Sequence, residues 1–214
     1  MDYAPVDYAS ARKVMVDSQV RVNDVTDRGL QAALLAVPRE AFCAPDRAFS
    51  AYAEVEVEIV PGRSLMMARD VARLLHALDA RAGETALAIA APYAAAVLAK
   101  VGLGVTAQEA DAAVFEVVGE GLVQAGVQTL TAPLNAAPSG TYDVILSEMA
   151  VPTRPDAWLK ALNVGGRLAV VERTGPAGKA VLYVRGREGL SRRELFDSNP
   201  PVLAEMSPPL IFAL

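Results

Sequence analysis

The chain of 214 residues has one cysteine, one histidine and one tryptophan, and no stretch approaching about 18 uninterrupted apolar residues. A lone thiol, Cys43, closes no internal disulfide, and one imidazole without companion thiols builds no ordinary zinc site, so a reducing interior and no metal are expected. Residues 1–12 carry acids and tyrosines where a signal peptide needs a basic start and an apolar run. A soluble, cytoplasmic protein without a membrane partner is the expectation. Basic charge is also scarce: the formal net charge is −5 and the pI about 5.0. The cations are scattered instead of striped, which disfavours nucleic acid. Arg185, Arg187, Arg192 and Arg193 form one cluster around a turn and read as solvated loop charges.

What is present is a globular mixture, 53% hydrophobic and 21% charged. It suits a single α/β domain over residues 1–214, with a helical part over 1–82 and a sheet part over 83–214. Tyr8 to Val20 has a helical pattern. A second helix follows Thr26 as N-cap, carries Leu30, Ala33, Leu34 and Val37 at helical spacing, and stops at Pro38. A third begins after Ser64 and lines up Met67, Val71, Leu74, Leu75 and Leu78 on one face.

Beyond Gly83 the rhythm changes to short apolar runs alternating with helix-length segments. Thr85–Ala90, Gly104–Gln108, Gln128–Thr131, Tyr142–Ser147 and Arg167–Glu172 read as parallel strands joined by crossover helices, a doubly wound sheet. Ala180–Arg185 and Leu210–Leu214 extend it as an antiparallel edge, giving seven strands. In such sheets ligands bind beyond the carboxyl ends of the strands, where strand order reverses.

Several stretches resemble the protein-L-isoaspartate O-methyltransferase family: Met15-Val16-Asp17-Ser18-Gln19-Val20-Arg21, Val25-Thr26-Asp27, Ala36-Val37-Pro38-Arg39-Glu40-Ala41-Phe42 and Ala51-Tyr52. Tyr142-Asp143-Val144-Ile145-Leu146 and the turn from Leu162 to Leu168 agree in layout. The resemblance implies a Rossmann-like class I methyltransferase fold, S-adenosylmethionine as cofactor, and methyl transfer to isoaspartyl carboxyls of damaged proteins.

The positions that would hold the cofactor have changed. Where the family has an acid and a Gly-x-Gly-x-Gly loop after its first sheet strand, this chain reads Ala86-Leu87-Ala88-Ile89-Ala90-Ala91-Pro92-Tyr93. Ala88 stands at the acid's place, and the loop is about two residues short when Tyr93 is matched to the family pattern. Alanine adopts the positive φ of a glycine turn only with strain, and Pro92 removes a donor. Ala132 replaces the acid that the family places near the adenine. Two missing charge-assisted contacts, at about 1.5–3 kcal/mol each, amount to roughly two to four orders of magnitude in affinity. Ser64-Leu65-Met66-Met67-Ala68 stands for the family's Thr-Ile-Ser-Gln-Pro, keeping one hydroxyl, Ser64, equally well explained as a helix N-cap.

Glu109 follows the second strand, where methyltransferases of this class use an acid to bond the ribose hydroxyls, and Glu148 ends the fourth; each reads either as a plain exposed carboxylate, Glu148 above all, or as a polar group of a nucleoside site. His76 lies off its helix's apolar face as a surface residue, Cys43 reads as a small buried residue, and Trp158 with Leu162 as helix packing. Losses at several positions around one pocket imply a non-catalytic protein acting through a protein partner or assembly, a homo-oligomer included. The alternatives are an active isoaspartyl methyltransferase with an atypical cofactor loop, and a sensor of another nucleoside or an apolar molecule.

Overall fold

The computed structural model describes residues 6–207, which leaves the expected strand Leu210–Leu214 outside the described residues. Helix α1, Tyr8–Met15, starts at Asp7, whose side chain accepts the Ser10 amide at 3.0 Å. The helical path continues through a π-turn, Val16–Val20, where Gln19 turns inward and donates to the Tyr52 carbonyl at 2.8 Å. Helix α2, Arg28–Ala36, is capped by Asp27 and not by Thr26: the carboxylate of Asp27 accepts the Leu30 amide at 2.9 Å, the geometry of an N-cap to N3 bond. It ends where Val37 turns extended, as a residue before proline must.

The expectation for Ser64 is corrected. Ser64 lies in strand β2, Arg63–Leu65, paired antiparallel with β1, Val57–Val60, opposite Glu58. The third helix, α3, Ala68–Leu78, begins after Met67 without a side-chain cap, while its apolar face, with Val71, Leu74, Leu75 and Leu78, is buried as expected.

The remaining elements alternate: β3 (Thr85–Ile89), α4 (Pro92–Val101), β4 (Gly104–Glu109), α5 (Ala112–Gln124), β5 (Gln128–Thr131), β6 (Tyr142–Val151), α6 (Asp156–Lys160), β7 (Leu162–Arg173), β8 (Gly178–Arg185) and β9 (Leu190–Asp197). They form a seven-stranded sheet in the order β5-β4-β3-β6-β7-β8-β9, parallel from β5 to β7 and antiparallel at β8 and β9. The order reverses at β3, between β4 and β6. Side chains alternate across the sheet, so Ala86 and Ala88 enter one apolar core with α3 and α4 while Leu87 and Ile89 enter a second with Trp158 and Leu159. Trp158 is fully buried there, its indole donating to the Leu134 carbonyl at 2.8 Å.

Strand β9 is a third correction. Leu190–Asp197 holds Arg192 and Arg193, which were expected in a loop. It is a sheet edge exposed along most of its length, so its sequence shows no apolar alternation.

Candidate functional site

The carboxyl ends of β3, β4 and β6 converge at the reversal point, and each ends in a group already engaged within the chain. Strand β3 passes into α4 through two residues. Ala90 adopts φ +47°, the left-handed region that costs an L-residue about 1–2 kcal/mol. Ala91 caps the helix and Pro92 occupies its first turn, where a missing N–H costs nothing. Ala90, Ala91, Tyr93 and Ala94 are 3%, 1%, 0% and 0% exposed, so the turn presents no surface to a ligand. Ala88 is buried inside β3, in register with Ala107 and Leu146.

Glu148, expected as an exposed carboxylate, is fully buried in an irregularity of β6 between Leu146 and Ala150. One carboxylate oxygen accepts the Ala94 amide at 2.8 Å and the other the Met66 amide at 3.2 Å. Ala94 lies in the first turn of α4, so the donors that a helix N-terminus offers to an anion are satisfied by the protein itself. Burial pushes the Glu148 carboxyl above the ordinary carboxylate range, opposed by the Arg39 guanidinium and by the backbone amides.

The stability that a neutral Glu148 contributes is therefore full below the ordinary carboxylate pKa and is lost as pH rises through the raised value. Urea unfolding of the unmodified protein and of Glu148→Gln, followed upward from pH 4, is expected to show the difference between them moving in favour of Glu148→Gln, since the unmodified protein alone loses this contribution. Equal slopes in the two proteins would refute this.

Arg39 is fully buried. Its guanidinium donates to the Ala51 carbonyl at 2.8 Å and to the Met66 carbonyl, and lies 4.8 Å from the Tyr93 ring centre. Phe42 meets the same ring edge-on at 5.8 Å. Burial pushes the Tyr93 hydroxyl up to about 12. Met66 thus links Arg39 through its carbonyl to Glu148 through its amide. Arg39 drew attention only as part of a family match, and the residue type alone does not announce a buried cation.

Glu109, at the end of β4, is 2% exposed. The Arg63 Nε donates to its two oxygens at 3.0 and 3.1 Å, and the Ala110 amide donates to one of them at 2.8 Å. Burial raises its pKa, against the pull of Arg63. Ala132, half-buried, donates its amide to the Glu109 carbonyl at 2.9 Å and continues the backbone past that strand end. Ser64 is half-buried and its hydroxyl points to the Met149 sulfur at 3.9 Å.

Other candidates lie apart from the reversal point. Cys43 is buried, its thiol donating to the Glu40 carbonyl at 3.6 Å and pushed up by burial. His76 is half-buried, in a cleft with Arg73, Arg193 and Phe196. The structure thus brings Ala90, Ala91, Pro92, Tyr93, Glu109 and Glu148 together and leaves His76 and Cys43 outside. Arg63, which the sequence did not single out, joins them from the β1–β2 hairpin.

Five parallel strands closed by an antiparallel pair, helices on both faces, and an acid at the end of the strand beside the reversal point define a class I methyltransferase fold. The chain belongs to the family Protein-L-isoaspartate(D-aspartate) O-methyltransferase, whose model matches residues 10–189. It is similar to the protein-L-isoaspartate O-methyltransferase of Methylorubrum extorquens (strain PA1), with 34% identity over 201 residues, 91% of this chain and 87% of that one. Among solved structures it is similar to a protein-L-isoaspartate O-methyltransferase at TM-score 0.74 and 18% identity, covering 91% of this chain and 65% of that chain. A second similar structure is a putative enzyme of that name from Plasmodium falciparum in complex with S-adenosyl-L-homocysteine, at TM-score 0.76 and 15% identity, covering 94% of this chain and all of that one.

The family uses S-adenosylmethionine and acts on proteins containing isoaspartyl residues. The turn after β3 is buried, the first amides of α4 are bonded to Glu148, and the Glu109 carboxylate is bonded to Arg63. No described helix is long and apolar enough to cross a membrane.

Proposed function

We propose that this chain is a non-catalytic member of its family, a single methyltransferase-like domain that acts by binding a protein partner. The observation that carries this reading is the burial of the Ala90-Ala91-Pro92-Tyr93-Ala94 turn together with the Ala94–Glu148 bond, which closes the strand end on itself. A cofactor entering there has to displace packed side chains and break a buried carboxylate's hydrogen bonds, and broken bonds of that kind cost more than their formation returns.

A second reading, an active isoaspartyl carboxyl methyltransferase with an atypical cofactor turn, draws on the name and 34% identity of the Methylorubrum relative and on the acid retained at Glu109. The two readings separate in one assay. With an isoaspartyl peptide, methyl-labelled S-adenosylmethionine and high protein concentration, no label is expected in the peptide beyond the protein-free blank. Transfer that scales with protein concentration would establish the enzyme and end the first reading.

A further inference from the structure

Arg63 is a buried cation between two carboxylates from distant parts of the chain. Its Nε faces Glu109, its Nη2 donates to Glu205, and its Nη1 donates to the Gly62 carbonyl at 3.1 Å. Glu205 lies on the helical turn Ala204–Met206, near the end of the described chain. The segment before that turn is anchored by backbone bonds: the Ala150 amide donates to the Pro201 carbonyl and the Leu203 amide to the Ala150 carbonyl, both at 2.8 Å. Leu203 is fully buried in the core beside Trp158. Among the described residues from Leu203 to Ser207, the side-chain hydrogen bond to a distant part of the chain is that between Glu205 and Arg63 of β2.

A guanidinium offers donors in a planar fork and stays charged at any ordinary pH, which suits it to bridging two carboxylates. We propose that Arg63 is the permanent occupant of the Glu109 site and, with Glu205, forms a latch that holds the Ala204–Ser207 segment against the carboxyl end of β4. The acid at Glu109 has changed its partner from a ligand to the chain's own side chain. The site is then closed from inside by the Ala204–Ser207 strap. The inference rests on the non-catalytic reading for what Glu109 no longer does. Its test reads the order of the strap and not methyl transfer, so the two can fail separately.

Hydrogen exchange read by mass spectrometry tests the latch. In Glu205→Gln, peptides covering residues 198–207 are expected to lose protection by about three- to tenfold, the range for one partly exposed charge-assisted bond, while peptides of β3 and β4 exchange as before. Arg63→Ala is expected to lose at least as much and to regain thermal stability with added guanidinium chloride at tens of millimolar, relative to sodium chloride at equal ionic strength. Should Arg63→Ala fail to fold, Glu205→Gln decides alone. Unchanged protection of residues 198–207 in Glu205→Gln overturns the latch. Stabilisation of the unmodified protein by adenosine also overturns it, since Arg63 would then not be the occupant.

Discussion

Titrated with S-adenosylmethionine, the protein is expected to give no saturable heat at micromolar concentrations, and S-adenosyl-L-homocysteine is expected to leave its melting temperature unchanged. Micromolar binding corresponds to about −8 kcal/mol, and on the non-catalytic reading alanine at Ala88 and Ala132, where the family resemblance implies acids, removes roughly 3–6 kcal/mol of charge-assisted contact, which alone moves the dissociation constant towards millimolar. The structure adds further costs. A ribose reaching Glu109 has to share it with the Arg63 guanidinium, itself 9% exposed, and with the Ala110 amide. The first turn of α4 can meet an anion only by releasing Glu148. A micromolar isotherm would sink the expectation. So would a ligand that stabilises by about 2.7 kcal/mol at a hundred times its dissociation constant.

Arg39→Ala is expected to be the most damaging single substitution outside the methyltransferase question, costing about 3–5 kcal/mol, the range for removing one member of a buried charge arrangement. Truncation leaves the Ala51 and Met66 carbonyls without their donors, takes a cation from the face of Tyr93, and strips Glu148 of its nearest compensating charge. Against a total stability of roughly 5–15 kcal/mol, that loss is from about a fifth to the whole of what holds the protein folded. For a chain of this size it corresponds to a fall of roughly 10 °C in Tm. Urea unfolding of Arg39→Ala, Glu148→Gln and the double variant measures the coupling. The double variant is expected to be more stable than the sum of the single losses implies, because a neutral residue 148 no longer needs the cation. Additive losses, or a Tm within about 2 °C of the unmodified protein, would show that Arg39 is not the counter-charge of Glu148.

Strands β3, β4, β6 and β7 were readable in the sequence to within about five residues, because strands buried on both faces appear as apolar runs between helical periods, and the exposed edge strand β5 was placed by its spacing after α5. Strand β9 was not, since an edge exposed on both faces carries arginines and glutamate where alternation would otherwise show. The β1–β2 hairpin also passed unread, and with it Arg63. The departures from the family pattern at Ala88, the Ala90-Ala91-Pro92 turn and Ala132 are a matter of residue identity and stand in the sequence itself. The partners that the strand-end acids take do not. Glu148 looked like a solvated carboxylate because its donors, Ala94 and Met66, lie 54 and 82 residues away. Arg63 finds its partners 46 and 142 residues along the chain. Partnerships of that span exist only once the sheet has formed.

The Ala94–Glu148 bond has a consequence for any search for small molecules at this strand end. A carboxylate covalently tethered beside its own donors acts as a competitor that cannot diffuse away, with an effective concentration of about millimolar or higher even for flexible tethers. A free anion reaching the start of α4 therefore competes with a carboxylate that the chain itself supplies, and binds there more weakly than at an open helix N-terminus.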